Sequence, residues 1–308
     1  MSGRETHARG TLRAIVAAMG GDLYDGGRRA NIPAPGHTAA DRSVSLLLRE
    51  GRVIIHGFGA ADWRSVRDEL WRRGLINAAQ ESSDGPLVAR AAPAQTPDGR
   101  QRLAEALWES GTPARPGSTA VRHARLRAIR RSLEGIADLR AHSAAPLSVY
   151  RGSGRRQAAL LAAIRNPVGE LTAVEVTYLK ADGRRADDLR LPRKTVGVLP
   201  AGSAVRLDPA AAHLLVAEGV FTALSAGERF RLPAWALLSA GALRRWTPPP
   251  YVRRVLIAGD RGTVGEAAAA ELATRLRTAG IRAMVALPPP PFSDWNDVAQ
   301  AGEGRRGR

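Results

Sequence analysis

Leu214-Leu215-Val216-Ala217-Glu218, Val255-Leu256-Ile257-Ala258-Gly259-Asp260, and Ala283-Met284-Val285-Ala286-Leu287 followed by a proline turn and Asp294-Trp295-Asn296-Asp297 decide the fold of this chain. Each is a short apolar run leading to a carboxylate, and runs of this length suit buried parallel strands. Between the second and third, residues 264–279 place Ala268, Leu272 and Leu276 at four-residue spacing, with Glu271, Arg275 and Arg277 left for solvent. Gly280 stops this helix. Strand, acid, glycine-containing turn, helix and strand form a βαβ unit. In an open α/β sheet the crevice lies outside the carboxyl ends of the strands, so the three acids converge. Converging carboxylates hold magnesium. Gly259, Gly262 and Gly265 lack the GxGxxG spacing of a dinucleotide fingerprint, which disfavours a nicotinamide enzyme.

Taken singly, each acid also has a plain structural reading. A Glu before a Gly at a strand end is commonly a turn residue, and Asp260 also suits the positive end of the following helix. Order and spacing together favour a metal or phosphate site.

These residues also carry a family resemblance. Val216-Ala217-Glu218-Gly219-Val220-Phe221-Thr222-Ala223-Leu224 resembles the glutamate motif of the Toprim domain of bacterial primases, topoisomerases and some nucleases. Ala258-Gly259-Asp260-Arg261-Gly262 with Gly265 resembles its Asp-x-Asp-x-x-Gly motif, and Phe292-Ser293-Asp294-Trp295-Asn296-Asp297 resembles the late acidic motif of phage and plasmid primases. The resemblance implies acid/base work for Glu218 and magnesium at Asp260 and Asp294, with Asn296 or Asp297 as a weaker ligand. Pro192-Arg193-Lys194-Thr195 resembles the region before the Toprim fold in plasmid primase-like proteins, and Arg193, Lys194 and Arg261 are the candidate nucleic-acid contacts. One departure is that Ala258 stands where the motif has its first aspartate. Magnesium needs only one or two protein carboxylates, so binding is compatible with this loss, whereas a full two-metal clamp is not favoured.

The amino-terminal region, Ile32-Pro33-Ala34-Pro35-Gly36-His37 through Gly51-Arg52-Val53-Ile54-Ile55-His56-Gly57-Phe58, resembles the zinc-finger region of the same primases. Ala34 replaces the first cysteine, Gly57 and Ala60 or Ala61 stand near the second pair, and His37 alone survives. Structural zinc takes four Cys or His ligands, and a chain without cysteine cannot close such a site even if His37 and His56 meet across a hairpin. Zinc is not expected. Strands over Ser43–Leu48 and Arg52–His56, joined by Glu50-Gly51, and a helix from Trp63 to Arg73 starting after Asp62 form a small α+β region instead. The helix presents Arg64, Arg67, Arg72 and Arg73, suited either to phosphates or to plain solvation.

The chain has 308 residues, 44% of them hydrophobic, which excludes wholesale disorder. Its formal net charge of +17 points to a polyanionic partner, discounted because Lys180 and Lys194 are the only lysines and the arginine, alanine, glycine and proline usage reads as codon bias. Absence of cysteine excludes disulfides and thiol catalysis. No apolar run reaches the roughly 20 residues of a membrane span, and no signal peptide is visible, so a cytoplasmic location is expected.

The expected fold class is α/β, a carboxy-terminal Toprim (Rossmann-like) parallel sheet preceded by a β-rich unit and a small α+β region. The expected division is 1–78 (degenerate zinc-finger-like region), 79–144 (linker with basic helices), 145–207 (β-rich subdomain), 208–303 (Toprim domain) and 304–308 (basic tail). Within the linker a helix is expected near Gly99–Ser110, and 121–135 reads as a basic helix whose His123, Arg125, Arg127, Arg130 and Arg131 form a second candidate phosphate-tracking surface, or else as a flexible basic linker. Strands are expected at Leu147–Tyr150, Leu160–Ile164, Ala173–Leu179 and Thr195–Val198. Pro288–Pro291 is extended and carries Asp294 back over the sheet edge.

The resemblance implies a primase-like protein using magnesium for nucleotidyl transfer on DNA, in replication of a plasmid, phage or integrated element. Its implied partners are single-stranded DNA, nucleoside triphosphates and a replicative helicase. Two alternatives stand beside it: a DNA-binding accessory protein with weak or lost catalysis, and a Toprim nuclease.

Overall fold

A computed structural model of the protein describes residues 12–38, 41–49, 52–57, 63–76, 96–150 and 154–304. The chain separates into two compact units, residues 1–91 and 92–308.

The first unit holds α1 (12–19), β1 (Asp22–Tyr24), β2 (Arg29–Ile32), β3 (Val44–Arg49), β4 (Arg52–Gly57) and α2 (Trp63–Arg72). The four strands form an antiparallel sheet in the order β1-β2-β3-β4. Ile32, Val44, Leu46, Val53 and Ile55 alternate onto one face and meet Val66 and Leu70 of α2 and Leu12 and Ile15 of α1. Strands β3 and β4 follow the expected hairpin. Strands β1 and β2 went unread because they are short and glycine-flanked. The turn Glu50-Gly51, Asp62, Ala60 and Ala61 lie outside the described residues. His37 is engaged within its own loop. Its Nδ1 pairs with Asp41 Oδ2 at 2.9 Å, and Asp41 also accepts from Ala34 N (3.0 Å) and Ser43 N (3.1 Å), so a carboxylate organises this loop. The arginines of α2 are largely occupied as well: Arg72 and Arg73 pair with Glu69, and Arg67 with Asp68 at 2.8 Å.

The second unit begins with α3 (Pro97–Glu109), β5 (Thr112–Pro113) and α4 (Thr119–Leu126). Strands β6 (Leu139–Pro146), β7 (Arg156–Arg165), β8 (Leu171–Tyr178) and β9 (Arg193–Gly197) join β5 in an antiparallel sheet, β5-β6-β7-β8-β9. Both faces of this sheet are covered. Ala159, Leu161 and Ala163 of β7 pack with Leu107 and Trp108 of α3. Leu160, Ala162 and Ile164 face the other way, with Ala120 and Ala124 of α4. Hence β7 reads as a continuous apolar run although its sheet is antiparallel.

Three expectations for this region are corrected. The linker does not extend through 97–144, because α3 buries Trp108 and Leu107 in the sheet core. The helix expected over 121–135 stops at Leu126: Ala128 turns into the left-handed region (φ 58°), and Glu228 Oε1 accepts from the N–H groups of Arg130 (3.0 Å) and Arg131 (2.9 Å). The strand placed at Leu147–Tyr150 is instead Leu139–Pro146, whose alternation of Leu139 and Ala141 with Arg140 and His142 carries a weak apolar signal.

The remainder comprises β10 (Val205–Arg206), β11 (His213–Ala217), α5 (Val220–Phe230), β12 (Ala234–Ala236), α6 (Ala240–Arg245), β13 (Arg254–Ala258), α7 (Thr263–Thr278), β14 (Arg282–Ala286) and α8 (Trp295–Gly304). Its sheet runs β10-β12-β11-β13-β14, parallel except for β10. Helices α6 and α7 cover one face, through Leu243, Leu272 and Leu276, and α5 and α8 the other, through Val220, Leu224 and Trp295. The chain passes from β11 to β12 on one side, then returns through α6 to β13 on the other. The sheet therefore reverses direction of growth between β11 and β13, the position where open α/β sheets bind ligands. Ala217, Ala258 and Ala286 lie in register, so three strands end flush at one edge. A Cβ at Gly265 would lie 2.7 Å from the Asp260 carbonyl, so only glycine lets α7 start this close to the acid.

Candidate functional site

Above that edge lies a cavity of ≈ 530 Å³. Glu218, Asp260 and Asp294 line it from the Toprim-like sheet, Glu175, Thr177 and Arg193 from β8 and β9, His123 and Arg127 from the end of α4, and Arg184, Arg185 and Asp187 from the β8–β9 connection. The first turn of α5, Gly219 to Thr222, also faces it. Gly219, the residue preceding α5, supplies no side-chain cap, so the first N–H groups of this helix add positive potential.

Glu218 follows the last residue of β11, and Asp260 follows β13 after Gly259. Burial, then the neighbouring charges of Glu218, Asp294 and Asp297, push the Asp260 carboxyl up to about 7. Its Oδ1 is buried without a hydrogen-bond partner. Burial also raises Glu218, opposed by a hydrogen bond from the Ala240 backbone and by Arg193 and Arg244. A buried, partnerless carboxylate oxygen among like charges is stabilised by a divalent cation, and an all-oxygen donor set suits magnesium. Glu218, Asp260 and Asp294 fit that ion chemically. Among the described residues, however, no three acids or histidines are gathered at coordinating range, so the fit is one of donor type and direction, completed by water ligands.

Asp294 has two duties. It lines the cavity, and its Oδ1 accepts from Asp297 N at 2.8 Å, capping α8. Asp297 lies outside the lining, and its Oδ2 accepts from Ser293 N at 3.1 Å, so it contributes charge from behind. Asn296 is fully buried and donates to Arg127 O (2.6 Å) and Ser225 Oγ (2.9 Å), which places it in the packing.

The expected nucleic-acid contacts divide. Arg193 faces the cavity. Lys194, the next residue on the strand, points to the opposite face, donating to Leu147 O at 2.9 Å with its ammonium 5.1 Å from the Tyr178 ring. Arg261 lies outside the lining and holds the proline segment over the sheet edge, its Nε donating to Pro288 O at 2.6 Å and its backbone N to Ser293 O at 2.7 Å.

Of the basic cluster expected over 121–135, His123 and Arg127 line the cavity, four residues apart, whereas Arg125, Arg130 and Arg131 do not. Sequence reasoning passed over Glu175 and the arginines of the β8–β9 connection. Arg127 stacks over Phe221 at 5.5 Å, and its Nε is buried without a partner. Glu175 is the one acid in the apolar run Leu171–Tyr178, which was its available signal. Burial raises its carboxyl, and Arg193 lowers it only in part.

Residues 213–304 match the Toprim domain family, and residues 98–207 match a domain of unknown function, DUF7146. No curated protein matches the chain. Among solved structures, the chain is similar to the zinc-binding and RNA polymerase domains of Aquifex aeolicus primase (14% identity, TM-score 0.46, 99% of this chain and 85% of that one). It is also similar to the primase fragment of the bacteriophage T7 primase-helicase protein (15%, 0.40, 89% and 96%). A DnaG primase catalytic domain, solved bound to single-stranded DNA, is a third (15%, 0.45, 67% and 80%). Among the described residues, no helix is long and apolar enough to cross a membrane.

Proposed function

We propose that this chain, which carries a Toprim domain over 213–304, is a primase-like nucleotidyltransferase acting on DNA with magnesium, in replication of a plasmid, phage or integrated element. The observation that carries this reading is the partnerless Asp260 oxygen beside Glu218 and Asp294, at the switch point of the sheet and under a rim of arginines.

Asp260 and Asp294 would hold the magnesium, with Asp297 tuning the local charge. When bound, the ion supplies neutralisation of triphosphate charge. Glu218, with its proton affinity raised by burial, is placed to take the proton of a terminal hydroxyl. Arg127, Arg184, Arg185 and Arg193 orient phosphates, as planar guanidiniums do well. The helix α5 N-terminus favours the same anions. Single-stranded DNA and nucleoside triphosphates are the partners of this reading, with a replicative helicase as the assembly partner.

Magnesium-dependent primer synthesis on single-stranded DNA with labelled nucleotides tests it, run beside Glu218→Gln and Asp260→Asn. Short products made by the wild type and lost in both variants support it.

One observation favours the accessory-protein reading. Ala258 is fully buried in the face packed by α5 and α8, so the acid missing from the motif has no polar replacement there. DNA binding without synthesis or cleavage would establish that reading, and cleavage alone would establish the nuclease.

A further inference from the structure

Glu175 stands in the wall between two cavities. The larger is the one described above. The second, of ≈ 240 Å³, adjoins it between β9, the turn at 199–203 and the start of α6, and the two share Glu175 and Leu238. The smaller compartment is walled by aliphatic side chains such as Leu199, Pro200 and Leu237. Two of its hydroxyls are already used: Ser203 Oγ donates to Pro200 O at 2.8 Å, and Ser239 Oγ accepts from Ala242 N at 3.1 Å.

Glu175 is different. Its side chain is 12% exposed, and it forms an ion pair of 4.0 Å with Arg193 Nε, beyond hydrogen-bond reach. A buried carboxylate in this state gains from any ligand that brings N–H donors to both oxygens. The compartment has the room: its volume equals the liquid share of about eight waters, enough for a two-ring heterocycle.

We propose that the smaller compartment receives the base of a nucleotide and that Glu175 selects guanine there; this rests on reading the larger cavity as a triphosphate site. An ionised carboxylate only accepts hydrogen bonds. Guanine is the common base with a ring N–H and an amino N–H side by side on one edge. Adenine and cytosine set an acceptor beside the amino group, and uracil and thymine flank their ring N–H with carbonyls. The donor edge of guanine also has the form of a guanidine, and the group beside Glu175 is the guanidinium of Arg193. With phosphates in the large cavity drawing on Arg193, the base replaces that partner. Two N–H donors also offset the burial that disfavours the charged carboxylate.

The test is equilibrium binding of GTP, ITP and ATP to the full chain at fixed magnesium and salt, with wild type, Glu175→Gln and Ala242→Leu. Inosine lacks the amino group of guanine. Ala242 lines the compartment, and leucine fills it. The expected result is GTP tighter than ATP by about tenfold, the order given by one good bidentate contact, with ITP between them. The ratio should collapse toward one in both variants. Glu175→Gln keeps the side-chain shape, Ala242→Leu leaves Glu175 intact, and either variant alone decides. Equal binding of the three nucleotides by wild type overturns the base compartment and leaves the triphosphate site standing. A GTP preference that survives either variant overturns the assignment of the base to this compartment and Glu175. No binding of any nucleotide overturns both readings.

Discussion

The side-chain amide of Asn296 donates to the backbone carbonyl of Arg127 at 2.6 Å, and to Ser225 Oγ at 2.9 Å, so one buried residue of α8 ties together α5 and the turn that presents Arg127 to the cavity. Its own Oδ1 accepts from Gln300 at 3.0 Å. Asn296→Ala leaves buried acceptors unsatisfied and should cost about 1–3 kcal/mol in urea denaturation. Asn296→Asp separates packing from metal binding. A carboxylate there faces the Arg127 carbonyl, so the expected outcome is lower stability with no gain in magnesium affinity, and a gain would return Asn296 to the ligand set.

Asp260 makes the site pH-dependent. Its carboxyl is raised from 3.8 to about 7 by burial and by Glu218, Asp294 and Asp297. A folded value above the unfolded one means that the stability cost is absent below the unfolded value. It grows as pH rises toward about 7 and is constant beyond. The metal-free protein should therefore lose stability across that window, and Asp260→Asn should flatten the profile. The gain at about pH 8 should be on the order of 1–2 kcal/mol after allowing for solvent screening. Magnesium competes with the proton, so its affinity, measured by calorimetry, should rise with pH through about 7.

Glu218→Gln keeps the side-chain volume and removes the proton acceptor. Primer synthesis should fall by roughly 10²–10⁴-fold, while binding of single-stranded DNA persists. Loss of binding together with activity would make Glu218 a structural group.

Arg193 and Lys194 offer a matched pair on opposite faces of β9. Arg193→Ala should reduce the slope of log affinity against log salt for single-stranded DNA by about 0.7. Lys194→Ala should leave the slope unchanged and lower the melting temperature, because Lys194 donates to Leu147 O and lies over Tyr178.

Trp108→Ala tests whether α3 belongs to the core of the second unit. Trp108 is 7% exposed and packs with Leu161 and Val174, and truncation should cost roughly 3–5 kcal/mol by thermal or urea unfolding. A cost near zero would make 97–109 a linker after all.

The parts of the fold that were legible are those where apolar spacing dominates. Strands β11, β13 and β14, the helix over 263–278 and the β3–β4 hairpin follow directly from it. Strand β6 escaped because alanine marks a buried position no more strongly than an exposed one, and Leu139 and Ala141 alternate with Arg140 and His142. Helix α4 was read too long because its periodicity continues through Ile129 and Leu133, residues that are buried without being helical. The backbone between them is held at Arg130 and Arg131 by Glu228, 97 residues away from Arg131 along the chain.

The chain order of strand and acid by itself determined that Glu218, Asp260 and Asp294 follow consecutive elements of one α/β unit, because buried strands and their terminal turns are local consequences of side-chain pattern. Tertiary structure alone decided which charges face one another. The flush ends of Ala217, Ala258 and Ala286 bring the acids to one edge. The packing of the central sheet against α5 brings Glu175 and Arg193 opposite them. The pleat of β9 sends Arg193 to the cavity and Lys194 to the other face. Residues distant in sequence acquire a shared electrostatic environment only when burial removes the water between them, and that is a property of the assembled layers.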